Sequence, residues 1–133
     1  MQPLSSDAIV LGLDLGATSA WCLGGRGQRP DSGVINLPFD INEPAGFSTL
    51  YRALAEITEG RRPRIIAVEK RLVPRRGLPA SDLTFKRLYG LHAIACMFAA
   101  NCSARLQETN VSTIRKACLP TLHIKQRGKP EIH

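Results

Sequence analysis

The chain has 133 residues and a mass of 14.5 kDa, which suits one domain with a hydrophobic core and excludes two. With 18 Lys and Arg against 11 Asp and Glu, its formal net charge is +7 and its pI near 9.8, a balance typical of nucleic-acid-binding proteins but also found in small basic proteins without such a partner. No segment could span a membrane and the four cysteines form no CxxC pair, so we expect reduced thiols in a cytoplasmic protein.

The first predicted strand, Ile9–Leu13, is an apolar run that ends at a carboxylate, Asp14. Gly16 permits a tight turn, and Thr18–Leu23 is predicted to be the returning strand of a hairpin. A charge in so apolar a run is costly to bury, so Asp14 should be paired, bind a metal ion or lie at the solvated strand end. The alternative is an aspartate held only by turn amides. The choice depends on whether a second carboxylate reaches the same place.

A third strand and an amphipathic helix follow. Gly33–Leu37 is predicted to be a strand closed by Pro38. Apolar residues then recur at helical spacing over Phe47–Ile57, and the predicted helix ends at Gly60. Three strands in succession before the helix indicate an antiparallel meander.

A second buried-strand run, Ile65–Val68, also ends in a carboxylate, Glu69. A strand reached through a helix from an earlier sheet tends to pair parallel with one of the earlier strands. If this run lies beside Ile9–Leu13, then Asp14 and Glu69 emerge at adjacent strand ends. This convergence favours a functional site over an aspartate held by turn amides.

Basic residues are concentrated around Glu69. Nine of the 18 lie between positions 61 and 87, opposed there only by Glu69 and Asp82. A field of this sign beside an acidic site suits contacts with a phosphate backbone, and the alternative is a merely solvated loop. The nine residues are Arg61, Arg62, Arg64, Lys70, Arg71, Arg75, Arg76, Lys86 and Arg87.

A long helix is predicted over Asp82–Ala100, with Ser81 as its N-cap. Its apolar residues leave little polar face, so we expect it to be buried on two sides, against the sheet and against a partner subunit. His92 on this helix is expected to be a packing histidine. A last strand, Ala104–Gln107, follows, with Glu108 at its end and expected to be solvated.

Beyond this strand, Asn110 or Ser112 is predicted to cap a helix whose Arg115 and Lys116 face outward and add a flank to the basic surface. After Pro120 the pattern dissolves, and residues 121–133 are expected to be an irregular tail. The whole chain, 1–133, is thus predicted to be a single domain.

The order of these elements, with acids closing the first and fourth strands, resembles the RNase H-like fold: a mixed five-stranded sheet, in which an antiparallel hairpin meander joins parallel strands, flanked by helices. More closely, the chain resembles the RuvC-type Holliday junction resolvases. The resemblance covers roughly residues 8–119, and it depends on the order and spacing of the motifs. These are Leu11–Gly16 before Trp21, Ile66–Lys70, the small-residue helix Arg87–Ala93, and Leu106–Lys116.

The resemblance implies a homodimer that binds four-way DNA junctions and nicks two strands symmetrically, an endonuclease of DNA recombination and repair. The family holds Mg²⁺ or Mn²⁺ with an acid of the first strand, an acid of the fourth and acids on a final helix; Asp14 and Glu69 match the first two. The expected DNA contacts are Lys70, Arg71, Arg75, Arg76, Lys86, Arg87, Arg115 and Lys116. The expected dimer contacts on the long helix are Phe85, Leu88, Leu91, His92 and Ala95.

The chain departs from the family at its end, where the remaining acids would stand. Only Glu131 follows Glu108. Either Glu131 substitutes as a metal ligand, or the end is truncated and residues 121–133 replace the family's last helix. We favour truncation, because the composition changes at Pro120 and Glu131 follows a proline, Pro130, instead of standing on a helix face.

Two other functions remain open. One is a non-catalytic module that binds branched DNA, since the acid set is short. The other is a nucleotide-binding fragment of the actin and sugar-kinase class, whose first strand also ends in the pattern formed here by Asp14, Gly16 and Thr18. That class needs a second phosphate loop and a longer chain, and ATP binding would distinguish it.

Overall fold

The computed structural model describes residues 8–25, 29–69 and 82–109, and these form one five-stranded sheet and two helices. Its strand order is β3-β2-β1-β4-β5; β1 pairs antiparallel with β2 and β2 with β3, whereas β1–β4 and β4–β5 are parallel. The predicted mixed five-stranded sheet is confirmed. In chain order the elements are β1 (Ile9–Asp14), β2 (Thr18–Gly25), β3 (Asp31–Asn36), α1 (Glu43–Ile57), β4 (Ile65–Glu69), α2 (Asp82–Cys102) and β5 (Arg105–Thr109).

The core lies on one face of the sheet, because successive residues of a strand point to opposite faces. Leu11 and Leu13 of β1 are in register with Ile66 and Val68 of β4, and all four side chains are fully buried. We call this side the helix face, since α1 and α2 pack on it. The helices contribute to the same core Leu50, Leu54, Leu91, Ala95, Phe98 and Ala99.

Helix α1 begins at Glu43, ahead of the position Phe47 at which the apolar period starts. Oδ1 of Asn42, the N-cap residue, accepts a hydrogen bond from the backbone N–H of Ala45 at 2.8 Å, and Pro44 occupies the first turn. Both are ordinary signals of a helix start. Apolar spacing alone misses this turn because its residues are polar or small.

The two helices approach closely at Gly90 of α2. A Cβ atom built there would lie 2.4 Å from Cε1 of Phe47 on α1. The ring of Phe47 in turn contacts Phe39 edge-on, with centroids 5.1 Å apart. A side chain at position 90 would overlap the Phe47 ring unless the ring moved, so the close approach of the two helices depends on Gly90.

The cysteines differ from the sequence prediction of four reduced thiols. Cys22, 7% exposed on β2, is disulfide-bonded, whereas Cys96 and Cys102 are free. Spacing along the chain could not reveal this, because a disulfide depends on which residues meet in space. Burial raises the pKa of the Cys102 thiol from its ordinary value, and the nearby positive charge of Arg62 opposes the shift.

Neither helix of the described residues combines the length and the hydropathy needed to cross a bilayer. The cytoplasmic location remains a prediction.

Candidate metal and nucleic-acid site

Asp14 and Glu69 lie at neighbouring strand ends. The parallel register of β1 and β4 pairs Leu13 with Val68, and the next residue of each strand is one of the two carboxylates. Both point away from the helix face, because their predecessors point into it. Since paired strands run about 4.8 Å apart, the two side chains share one small surface. The structure thus brings together the two acids that the sequence predicted would meet, and we call this end of the sheet the acid edge.

The turn after Asp14 is held by Ser19, which sequence reasoning overlooked. Its hydroxyl, fully buried, donates to the carbonyl of Gly16 at 2.7 Å and accepts from the Gly16 N–H at 3.1 Å. The backbone N–H of Leu37 also donates to the carbonyl of Ala17 at 2.8 Å. These bonds fix the segment that carries Asp14, and a serine three residues after a turn glycine is the signal that could have indicated it.

Glu108, on β5, does not join the acid edge. It is in register with Val68, so its side chain lies on the helix face, where Oε1 is 3.4 Å from Nε2 of His92 on α2. Nδ1 of His92 is buried and has no hydrogen-bond partner among the described residues. Thr109 is the residue in register with Glu69, and it therefore supplies the neighbouring side chain on the carboxylate side. Glu108 of β5 therefore contacts α2.

The α2 residues predicted to contact a partner divide into two sets. Leu91 and Ala95 are fully buried in the core of the single chain. Phe85, Leu88 and His92 are half-buried. A different set of apolar and small residues is exposed, and we call it the α2 outer face: Tyr89, Ala93, Cys96, Met97 and Ala100.

Two of the residues predicted to bind DNA, Lys86 and Arg87, are described. Lys86 is exposed. Arg87 pairs with Glu43 at the start of α1 at 2.6 Å, and its guanidinium lies 4.8 Å from the ring centre of Phe39. Its charge therefore helps to join α1 to α2. The candidate metal ligand Glu131 lies outside the described residues. So do the other predicted DNA contacts, which are Lys70, Arg71, Arg75, Arg76, Arg115 and Lys116.

Three of the arginines grouped with Glu69 in the sequence lie at the other end of the sheet. Arg61, Arg62 and Arg64 precede β4, whereas Glu69 ends it. A five-residue strand separates the two ends by roughly 13–17 Å. Their inclusion in the basic field around the acids was wrong, because proximity in sequence to a strand does not say at which end of the strand a residue lies.

The acid edge offers carboxylate oxygens, which are the ligands that Mg²⁺ and Mn²⁺ prefer. Magnesium is commonly held by one or two carboxylates together with waters and substrate phosphates. Asp14 and Glu69 fit that pattern. Among the residues described, no three His, Cys, Asp or Glu side chains gather into a larger ligand set. The donor chemistry therefore suits a hard divalent cation held weakly by the protein alone.

Comparison with known proteins gives structural neighbours only. No protein-family model and no curated protein sequence matches the chain. RuvC of Thermus thermophilus in complex with a Holliday junction substrate superposes with a TM-score of 0.65 at 12% identity, covering 82% of this chain and 70% of that one. A second structure of that RuvC gives a TM-score of 0.60 at 14% identity, covering 82% and 68%.

The yeast mitochondrial Holliday junction resolvase Ydc2 gives a TM-score of 0.51 at 18% identity, covering 90% of this chain and 57% of its own length. At these identities the likeness establishes the fold. The chain has the RNase H-like fold of the RuvC-type resolvases, as the sequence resemblance predicted.

Proposed function

We propose that this protein is a divalent-metal-dependent endonuclease that cuts four-way DNA junctions. The observation that carries the proposal is the meeting of Asp14 and Glu69 at neighbouring parallel strand ends, within the fold of known junction resolvases. One of the structural neighbours, the RuvC of Thermus thermophilus, is in complex with a Holliday junction substrate, which supports branched DNA as the substrate class.

In this proposal Asp14 and Glu69 hold Mg²⁺ or Mn²⁺, which when bound would polarise the scissile phosphate and activate water. The hydrogen bonds between Ser19 and Gly16 hold the backbone of the turn that follows Asp14. Glu69 is carried by a buried strand. Two carboxylates leave most of the coordination to water and substrate, so the affinity for metal without DNA should be low.

We propose further that two copies associate through the α2 outer face. This surface is apolar or small along the helix, with Tyr89 49% and Met97 56% exposed in the single chain. Exposed apolar side chains on one helix face are typical of a protein interface. A two-fold dimer would present two acid edges, which suits symmetric nicking of two strands.

A non-catalytic junction binder is the second candidate. It is favoured by the small ligand set, since the described acids supply only two carboxylates at the acid edge. Both candidate functions require binding to branched DNA, and they differ only in whether the DNA is cut. The actin and sugar-kinase alternative would predict ATP binding, which a nucleotide-binding assay checks directly.

The test is a gel assay on a labelled four-way junction, in Mg²⁺ or in chelator. We expect paired nicks that require Mg²⁺ and that Asp14→Asn and Glu69→Gln abolish. Glu108→Gln is the matched control, because this carboxylate lies on the helix face. Selective junction binding without nicks would favour the non-catalytic module, and equal affinity for junction and duplex would reject both.

A further inference from the structure

The edge of the sheet opposite Asp14 and Glu69 is rich in arginine. Here β1, β4 and β5 begin, β2 ends and β3 begins. Five of the eight Lys and Arg residues that the structure describes lie at or beside this edge. We call it the arginine edge, and its members are Arg29, Arg61, Arg62, Arg64 and Arg105.

The arginine edge extends as a row across the strand ends, and backbone hydrogen bonds place Arg64 beside Arg105 within it. The N–H of Arg64 donates to the carbonyl of Ile9 at 2.8 Å, and the N–H of Arg105 donates to the carbonyl of Arg64 at 2.9 Å. Arg29 stands in the connection between β2 and β3, where Pro30 lies against Gly24. Since neighbouring strands are about 4.8 Å apart, the row extends over roughly 15–20 Å.

The fold orients the side chains of Arg61 and Arg62 at this edge. Arg61 forms an ion pair with Asp31 at the start of β3. Nε of Arg62 donates to the carbonyl of Cys102, the last residue of α2, at 2.5 Å. A guanidinium has five N–H donors, so a single bond of this kind leaves most of its donors available. These contacts hold the row in place without using all of its capacity.

Arg29 and Arg64 are exposed, and within the described chain neither has an acidic partner. The acids at or near this edge are Asp31, already paired with Arg61, and Glu56 and Glu59 near the end of α1. The exposed guanidinium groups of Arg29 and Arg64 add positive charge to this edge, and a polyanion would neutralise it. The arrangement is therefore better suited to binding than to stability.

We propose that the arginine edge binds the phosphate backbone of a DNA duplex, as a second contact surface separate from the acid edge. A duplex presents phosphates at a regular 3.4 Å rise per strand, so a row of roughly 15–20 Å spans about five base pairs. Arginine forks match phosphate oxygens in a bidentate manner. The surface reads no sequence, because backbone contacts carry none.

The two edges are separated by the length of the sheet, roughly 17–20 Å for the six residues of β1. At a rise of 3.4 Å per base pair this separation equals about five or six base pairs, so a duplex held at the arginine edge is contacted away from a strand cut at the acid edge. The identification of the polyanion as DNA rests on the proposed function. The inference that the arginine edge binds a polyanion does not.

The experiment measures binding of a labelled blunt duplex, about two helical turns long, as a function of salt. The protein is the full chain with Arg29→Gln and Arg64→Gln combined, and the matched control is Arg52→Gln, an exposed arginine of α1 away from this edge. Losing two phosphate contacts should make the negative slope of log K against log salt less steep by about 1.8. It should also weaken binding roughly tenfold or more at low salt. The control should change neither.

An unchanged slope in the double variant, or an equal loss in Arg52→Gln, would overturn the proposal. Tighter binding of polyglutamate or of anionic lipid vesicles than of duplex at equal ionic strength would also overturn it, since the partner would then not be DNA. Nicking of a junction by the unaltered protein is scored separately. If nicking is absent but the slope depends on Arg29 and Arg64, the proposed function fails and this inference stands.

A second measurement uses the unaltered chain on junctions with short and long arms. Longer arms should tighten binding to the unaltered protein and not to the double variant. Equal affinity for both arm lengths would count against a contact remote from the acid edge.

Discussion

Oε1 of Glu108 lies 3.4 Å from Nε2 of His92, and this pair connects β5 to α2 on the helix face. Glu108 lies near the end of its strand, as Asp14 and Glu69 do, but its carboxylate contacts a helix. Glu108 therefore has a structural contact, in contrast to the two carboxylates at the acid edge. Its substitution is a matched control for substitutions of Asp14 and Glu69.

The first prediction concerns this pair. Glu108→Gln should leave junction nicking unchanged and lower the free energy of unfolding by less than about 1 kcal/mol, because the Glu108 side chain is 47% exposed and water screens the interaction. Urea denaturation and the junction assay measure the two effects. Loss of nicking with normal stability would mean that Glu108 acts at the acid edge after all.

The second prediction concerns the contact between the helices. Gly90→Ala should destabilise the protein by about 1–2 kcal/mol, because the new methyl group overlaps the Phe47 ring and overpacking outweighs the helix propensity that alanine gains. Thermal denaturation measures the change. Adding Phe47→Leu should recover part of the loss, and strictly additive effects of the two substitutions would contradict the proposed overlap.

The third prediction concerns the α2 outer face. Met97→Glu should weaken self-association more than roughly hundredfold, because an unpaired charge would be buried in the interface. Ile41→Glu is the control, since Ile41 is 70% exposed and lies in the segment before α1. Analytical ultracentrifugation distinguishes the outcomes. A Met97→Glu protein that still dimerises would exclude this face.

The fourth prediction concerns Cys96 and Cys102, the free thiols among the described residues. Because Cys102 is half-buried and burial raises the pKa of its thiol, it should be alkylated more slowly at neutral pH than the exposed Cys96. The rate at Cys102 should rise about tenfold per pH unit up to its pKa. Mass spectrometry after limited alkylation, at low protein concentration, measures both rates. Equal rates at neutral pH would contradict the prediction.

Much of the architecture could be predicted because it depends on local period. The apolar runs before Asp14 and Glu69 indicated buried strands, and the change to helical spacing near Phe47 indicated α1. The parallel pairing of β1 with β4 followed from the intervening helix. The arrangement of two carboxylates at adjacent strand ends could therefore be predicted from the sequence alone.

The strands, the helices apart from the first turn of α1, and the acids that close β1 and β4 could be predicted from the sequence. The tertiary structure alone decided that Glu108 faces α2, that Leu91 belongs to the core and that Arg64 lies opposite Glu69. Secondary structure follows from side-chain period within a few residues. The face and the end of the sheet that a residue occupies depend on register with strands distant in the chain, and only the folded molecule fixes that register.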